Sequence, residues 1–291
     1  MRALWSNGPA LLSLGALSWA ASVIFGRAAA EAVPPSLFTV LRWAGAFLIV
    51  APLAWPHLRR DAPALWRRRW VVVILAFLGV GAYNNLVYHG LHSTTAINAL
   101  LLNSATPLFI IVVAFLMFGD RPSWRQVIAI LISVAGVVVI AAEGSLDVLR
   151  RLSFRPGDLL ITLAVAFYAV YSAMLRLRPK VHPLSFLAVS IALGVLMMVP
   201  FAAAEYADGE RLHPTALAIV ALVYSAIFPA AMAYLFYNRG VELIGPARAG
   251  QYIHLMPVFG ILLAVVLLGE TVLAYHAAGI VLIAAGLWLA R

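Results

Sequence analysis

The residues best suited to chemistry fall in two clusters. The first is YNNLVYHGLH over residues 83–92. If this stretch is helical, Asn85, His89 and His92 lie at i, i+4 and i+7 on one stripe, and Asn84 and Tyr88 form a neighbouring pair beside Tyr83. Thr94, Asn98, Asn103 and Ser104 follow closely. The second cluster combines YLFYNRG and RAGQYIH, contributing Tyr234, Tyr237, Asn238, Arg248, Gln251, Tyr252 and His254. Amides, phenols and imidazoles in this pattern offer donors and acceptors to a small solute. Bond cleavage would need another inventory: HExxH, a Walker loop and a serine or aspartyl dyad are all missing. There is no cysteine for thiolate metal sites or disulfides. The expectation is no catalytic residue, no cofactor and no metal.

The surroundings of these groups give them weight. The chain is 64% hydrophobic and 11% charged, with mean hydropathy +1.00. Soluble domains are about a quarter charged, so lipid must be the solvent here. A net charge of +9 could suggest nucleic acid. The arginines fall between apolar runs instead of on one face, which excludes that partner. Ten apolar runs are long enough to cross a bilayer as helices, at 9–30, 35–56, 70–91, 94–119, 123–142, 157–177, 183–204, 214–238, 246–269 and 272–290. The first is expected to be a retained span, because its apolar run is long for a signal core. With the N-terminus inside, 14 of the 20 basic residues fall on the cytoplasmic side, 5 fall outside and Arg42 lies within a span. Both ends are therefore expected to be cytoplasmic.

The chain also writes one pattern twice. TPLFIIVVAFLMFGDR and MPVFGILLAVVLLGET align at an offset of 150, pairing Pro107 with Pro257, Phe109 with Phe259, Gly119 with Gly269 and Asp120 with Glu270. Gly90 and Gly240, and Ala135-Gly136 and Ala285-Gly286, keep the same offset. Five spans per half is an odd number, so the halves (9–142 and 157–290) would enter the membrane from opposite sides as an inverted repeat. Both prolines fall near mid-span, where a missing backbone hydrogen bond frees the carbonyls of Asn103 and Ile253 and lets the helices bend.

The closing stretch MPVFGILLAVVLLGETVLAYHAAGIVLIAAGL resembles the final repeat of drug/metabolite transporter proteins with paired EamA-type repeats. The motif is Pro-x-Phe, nine residues, Gly-Glu, then a Gly-rich helix: Pro257, Phe259, Gly269, Glu270, Gly279 and Gly286. The first copy departs by placing Asp120 where the glutamate stands. The resemblance implies an all-α integral membrane fold of ten helices in two inverted five-helix repeats. It also implies export of small metabolites through a central cavity. The chain is most similar to the amino acid exporters, the aromatic amino acid branch included.

Polar groups at membrane depth are costly and mark candidate sites. Their alternative role is packing, at about 0.6–2 kcal/mol for each interhelical hydrogen bond. Besides the two clusters, Trp19, Tyr168, Tyr171 and Tyr224 lie mid-span, whereas Trp70 and Trp288 lie at span ends. An aromatic cavity with a few amides and hydroxyls suits a flat, mostly apolar solute. Arg42 either snorkels to the interface or meets a substrate carboxylate. A nucleotide sugar would want several cations, and a cationic drug a buried carboxylate; neither set is evident. With only His89, His92 and His254 to relay protons, downhill facilitation with little proton coupling is expected.

Overall fold

The computed structural model describes residues 2–29, 32–94, 96–151, 155–268 and 271–290. Gly269 and Glu270, which end the second motif copy, lie outside those residues. All regular structure among the described residues is helical. The main elements are α1 (Gly8–Ala29), α2 (Pro35–Arg67), α3 (Arg69–Ser93), α4 (Ala96–Ser104), α5 (Thr106–Phe118) and α6 (Trp124–Ala141) in the first half. The second half contains α7 (Pro156–Leu177), α8 (Pro183–Ala207), α9 (Ala216–Ile244), α10 (Pro246–Gln251), α11 (Leu255–Leu268) and α12 (Ala274–Leu289). Six of them, α2, α3, α6, α7, α8 and α9, are long and apolar enough to cross a membrane. Leu48, Leu116, Leu196, Leu159 and Val281 are among many large apolar side chains left exposed, a surface suited to acyl chains. This is a multi-pass membrane protein.

The two halves make the same contacts with their roles exchanged. Helix α1 packs on α9 and α11, and α7 packs on α3 and α5. Like elements also pair, α2 with α8 and α6 with α12. The α6–α12 seam depends on small residues. A Cβ on Gly136 would lie 2.7 Å from the Gly279 carbonyl oxygen, and one on Gly286 2.5 Å from that of Ala129. Backbones this close leave no room for a side chain and gain van der Waals contact instead.

The α2–α8 pair is held at both ends by carboxylates. Near the end of α8, Glu205 accepts from the first-turn amides of α2, Ser36 N at 2.8 and 3.0 Å and Leu37 N at 3.2 Å. Near the end of α2, Asp61 accepts from His182 N at 2.9 Å, beside the start of α8. Each helix thus places a negative charge on the positive N-terminus of its neighbour. The His182 ring stacks on His57 with centroids 3.7 Å apart. Burial first, and then the facing His57, hold the His182 imidazole below its ordinary pKa.

Three local features depart from the sequence expectation. Helix α2 continues past residue 56 to Arg67, 33 residues in all. Its prolines Pro52, Pro56 and Pro63 all face outward. At about 1.5 Å per residue it outreaches a hydrocarbon core of about 30 Å, and it projects Arg59 and Arg60 beyond it. The span carrying Pro107 is broken instead of kinked. It stops at Ser104 and restarts at Thr106, so Pro107 occupies the first turn of α5, where no intrahelical N–H bond is needed. The freed Asn103 carbonyl accepts from Thr106 Oγ1 at 2.6 Å. The Pro257 span breaks similarly, through a 3₁₀ turn at Tyr252–His254.

The third departure is a pair of π-helical segments, Ala76–Ala82 within α3 and Ala226–Met232 within α9. Their bounds keep the offset of 150. Such bulges leave backbone carbonyls outside the regular ladder and concentrate at functional sites.

Candidate functional site

The side chains at the floor of the site are anchored on backbone carbonyls of the two π segments. In α3, Gly79 O accepts from the Tyr234 hydroxyl at 2.5 Å and from Asn84 Nδ2 at 3.1 Å. Asn84 Nδ2 also lies 3.2 Å from the Tyr234 hydroxyl oxygen. In α9, Pro229 O, the symmetry counterpart of Gly79 O, accepts from Trp19 Nε1 at 3.1 Å. Carbonyls released by the bulges thus fix one aromatic side chain from each half. Asn84 and Tyr234 are themselves counterparts at offset 150.

Above this floor lies a cavity of about 140 Å³ drawing on both halves. Its aromatic wall is Trp19, Tyr83, Tyr88, Tyr168 and Tyr234. Trp19 stands edge-on to Tyr168 and Tyr234, with centroids 6.3 and 5.9 Å apart. Tyr83 leans on Tyr168 at 4.7 Å. These ring geometries favour a rigid wall. The polar lining besides the aromatic wall is Ser22, Arg42, Asn84, Asn103, Ser104 and His254. His254 Nε2 sits 2.8 Å from the carbonyl of Ser104, its counterpart at offset 150. A carbonyl only accepts, so Nε2 carries the proton and Nδ1 is left as an acceptor without a partner among the described residues. Pro257 lines the cavity as well.

Other residues expected at the site lie elsewhere. His89 donates from Nδ1 to Asn85 O at 2.9 Å and faces Glu205 across 3.2 Å through Nε2, joining the α2–α8 clasp. Asn98 donates to Asp158 Oδ2 at 2.8 Å. Asp158 also accepts from Thr94 Oγ1 and from Arg155 N, so it ties the start of α7 to the α3–α4 connection. Tyr171 donates to Asn238 Oδ1 at 2.6 Å in the core behind the wall. Tyr224 packs on Phe25 and Phe228 and donates to Ser18 O at 3.1 Å. Gln251 and Tyr252 line a separate cavity of about 180 Å³ with Arg248. Pro107 is buried beside Gly250. His92 is exposed.

The cavity stripe of α3 is therefore Tyr83, Asn84, Val87, Tyr88 and Leu91, the neighbour of the stripe bearing Asn85 and His89. Ser22, Ala99, Val137, Ile253 and Met256 also line the cavity, although their small or apolar types carry no signal in the sequence. Among the described residues no group of three metal-ligating side chains converges.

Two like halves with broken helices around a shared central cavity define the class: a membrane transporter of repeat architecture. The chain belongs to the EamA-like transporter family, which it matches twice, over residues 6–142 and 155–291. It is 27% identical to "Uncharacterized transporter YetK" of Bacillus subtilis, covering 92% of this chain and 82% of that one. An "Uncharacterized transporter" of Archaeoglobus fulgidus is also 27% identical, covering 96% of this chain and 95% of its own length. A "Probable terminal-alkyne amino-acid exporter" of Streptantibioticus cattleyicolor is 23% identical over 69% of this chain and 65% of its own. One solved crystal structure superimposes with a TM-score of 0.76 at 22% identity, over 97% of this chain and 95% of its own, which shows the fold.

Proposed function

We propose that this transporter exports small metabolites with a flat apolar body, aromatic amino acids foremost, without carrying out an enzymatic reaction. The observation that carries this reading is the cavity wall of Trp19, Tyr83, Tyr88, Tyr168 and Tyr234, rings contributed by both halves. Its volume is close to that of a protein cavity of about 150 Å³ known to admit benzene. Asn84, Asn103 and the His254 Nδ1 acceptor give a solute a limited choice of hydrogen bonds. The amino-acid exporter relative supports the same solute class.

The reading extends to architecture and mechanism. Ten spans in two inverted repeats, 9–142 and 157–290, lie in the inner membrane with both termini cytoplasmic. The exchanged contacts of α1 and α7 support the inversion, and the arginine asymmetry supports the orientation. The breaks before Pro107 and Pro257 are the hinges about which the cavity opens to alternate sides. Transport is downhill: the buried Asp158 has both oxygens engaged by Thr94, Asn98 and Arg155 N, which leaves it unsuited to carrying protons. The test is efflux of labelled phenylalanine from proteoliposomes, competed by a panel of amino acids. Saturable efflux without an imposed pH gradient, competed best by aromatic members, is expected. Competition independent of side-chain type would overturn the solute class.

A further inference from the structure

Arg42 does not reach a membrane surface. It is 3% exposed and lines the cavity with its guanidinium turned inward. Its Cζ lies 5.1 Å from the Trp43 ring centroid and 5.8 Å from that of Tyr88. One of its five N–H groups donates from Nη1 to the Tyr88 hydroxyl at 2.5 Å. Nε is buried with no partner, and Nη2 makes no hydrogen bond among the described residues.

The charge is also unpaired among the described residues. The buried and half-buried acids are committed elsewhere: Glu205 to His89 and the start of α2, Asp158 to Thr94 and Asn98, and Asp61 to Arg60 and the start of α8. Asp120 pairs with Arg176, and Glu242 with Arg178 and Arg239. The cavity lining contains no carboxylate. A buried, unpaired guanidinium is costly, and two aromatic faces offset only part of that cost. The remaining demand is for one anion that enters the cavity.

We propose that Arg42 is the carboxylate anchor of the cavity and that its ligands are aromatic monocarboxylates, with or without an α-amino group. The proposal rests on the aromatic-solute reading above and narrows it. Nη2, which makes no hydrogen bond among the described residues, brings two N–H donors to a carboxylate, and the planar guanidinium holds them in a fixed direction. Tyr88 already accepts from Arg42, so its own proton is free to donate to the same carboxylate. An ammonium finds no charged partner in this lining, only ring faces and neutral acceptors such as the Asn103 side-chain oxygen and His254 Nδ1. The carboxylate therefore dominates recognition. A phosphate dianion would need more than one cation.

The test uses the purified full chain in proteoliposomes. Phenylalanine efflux is competed by 3-phenylpropionate, which lacks the amine, and by phenethylamine, which lacks the carboxylate. We expect the acid to compete within about threefold of phenylalanine and the amine to be at least about tenfold weaker. Arg42→Gln should raise the half-saturating concentration of both carboxylates at least about tenfold, while Arg42→Lys loses less. An amine that competes as well as the acid, or unchanged affinity in Arg42→Gln, overturns the anchor. If Arg42→Gln does not fold, the ranking of the two analogues on the unmodified chain decides alone. If the unmodified chain moves no phenylalanine, the solute reading fails, and thermal shift of the protein in detergent by 3-phenylpropionate decides the anchor. A shift abolished in Arg42→Gln upholds it; no shift in the unmodified chain overturns it.

Discussion

Asn84 and Tyr234 share one acceptor, and that sharing has a measurable consequence. Gly79 O receives the Tyr234 hydroxyl at 2.5 Å and Asn84 Nδ2 at 3.1 Å. Tyr234→Phe removes one donor but leaves the carbonyl bonded, so the cost is one net hydrogen bond, about 1 kcal/mol. Asn84→Ala similarly leaves Gly79 O bonded to Tyr234, while Val80 O loses a donor at 3.1 Å. Its cost should also be about 1 kcal/mol, plus a small packing loss. The double variant strips both donors from a buried carbonyl in a π segment that cannot bond it internally. The full desolvation penalty then appears, about 1–3 kcal/mol beyond the sum of the single changes. The assay is a double-mutant cycle measured by denaturant or SDS unfolding of detergent-solubilised protein, followed by tryptophan fluorescence. Single costs that add to within about 0.5 kcal/mol would refute the shared-acceptor account of the site's floor.

Further outcomes follow from the same geometry. Gly157→Ala would place a Cβ 2.3 Å from the Gly90 carbonyl oxygen, so we expect at least about 2 kcal/mol of destabilisation and a sharp loss of monodisperse protein by size-exclusion chromatography. Glu205→Gln should lower stability by about 1 kcal/mol in thermal unfolding, because it weakens the cap on α2 and the His89 contact together. Pro107→Ala should change stability by less than about 1 kcal/mol, because Pro107 sits in the first turn of α5, yet slow efflux if the break is a hinge. Trp19→Ala should reduce phenylalanine efflux while the protein still inserts, whereas Tyr224→Phe, outside the cavity, should transport normally.

The sequence carried the multi-pass helical character and the repetition because both rest on composition and spacing. The Pro-to-Gly motif proves to be the punctuation of a half-helix. Pro107 starts α5, and Gly119 ends it in a left-handed conformation at φ 72°, with Gly119 N bonded to Phe115 O and Asp120 N to Ala114 O. The π segments were hidden because their markers differ between copies, glycines at 79 and 81 but proline at 229. The assignment of single polar residues to the cavity was only partly legible. Helical periodicity sorts α3 into stripes, but the choice of stripe facing the cavity depends on partners far along the chain. Glu205, 116 positions beyond His89, draws that stripe to the α8 end, and Tyr234 holds Asn84 at the floor. Arg42 was ambiguous for a similar reason. Its Tyr88 partner lies in another helix, and that contact fixes the direction of the guanidinium.

The natural lack of cysteine makes the central claim directly testable, since a single introduced thiol is the only one present. Ser22 lines the cavity on α1, and Ser22→Cys is a nearly isosteric change. The measurement is labelling of the thiol in the Ser22→Cys variant by a membrane-impermeant maleimide, applied from each side of oriented vesicles with and without phenylalanine. A solute cavity shared by the two halves predicts labelling from both sides, slowed by phenylalanine and unaffected by a solute that is not transported. A thiol that stays unlabelled from both sides, or labels at the same rate whatever solute is present, would contradict it.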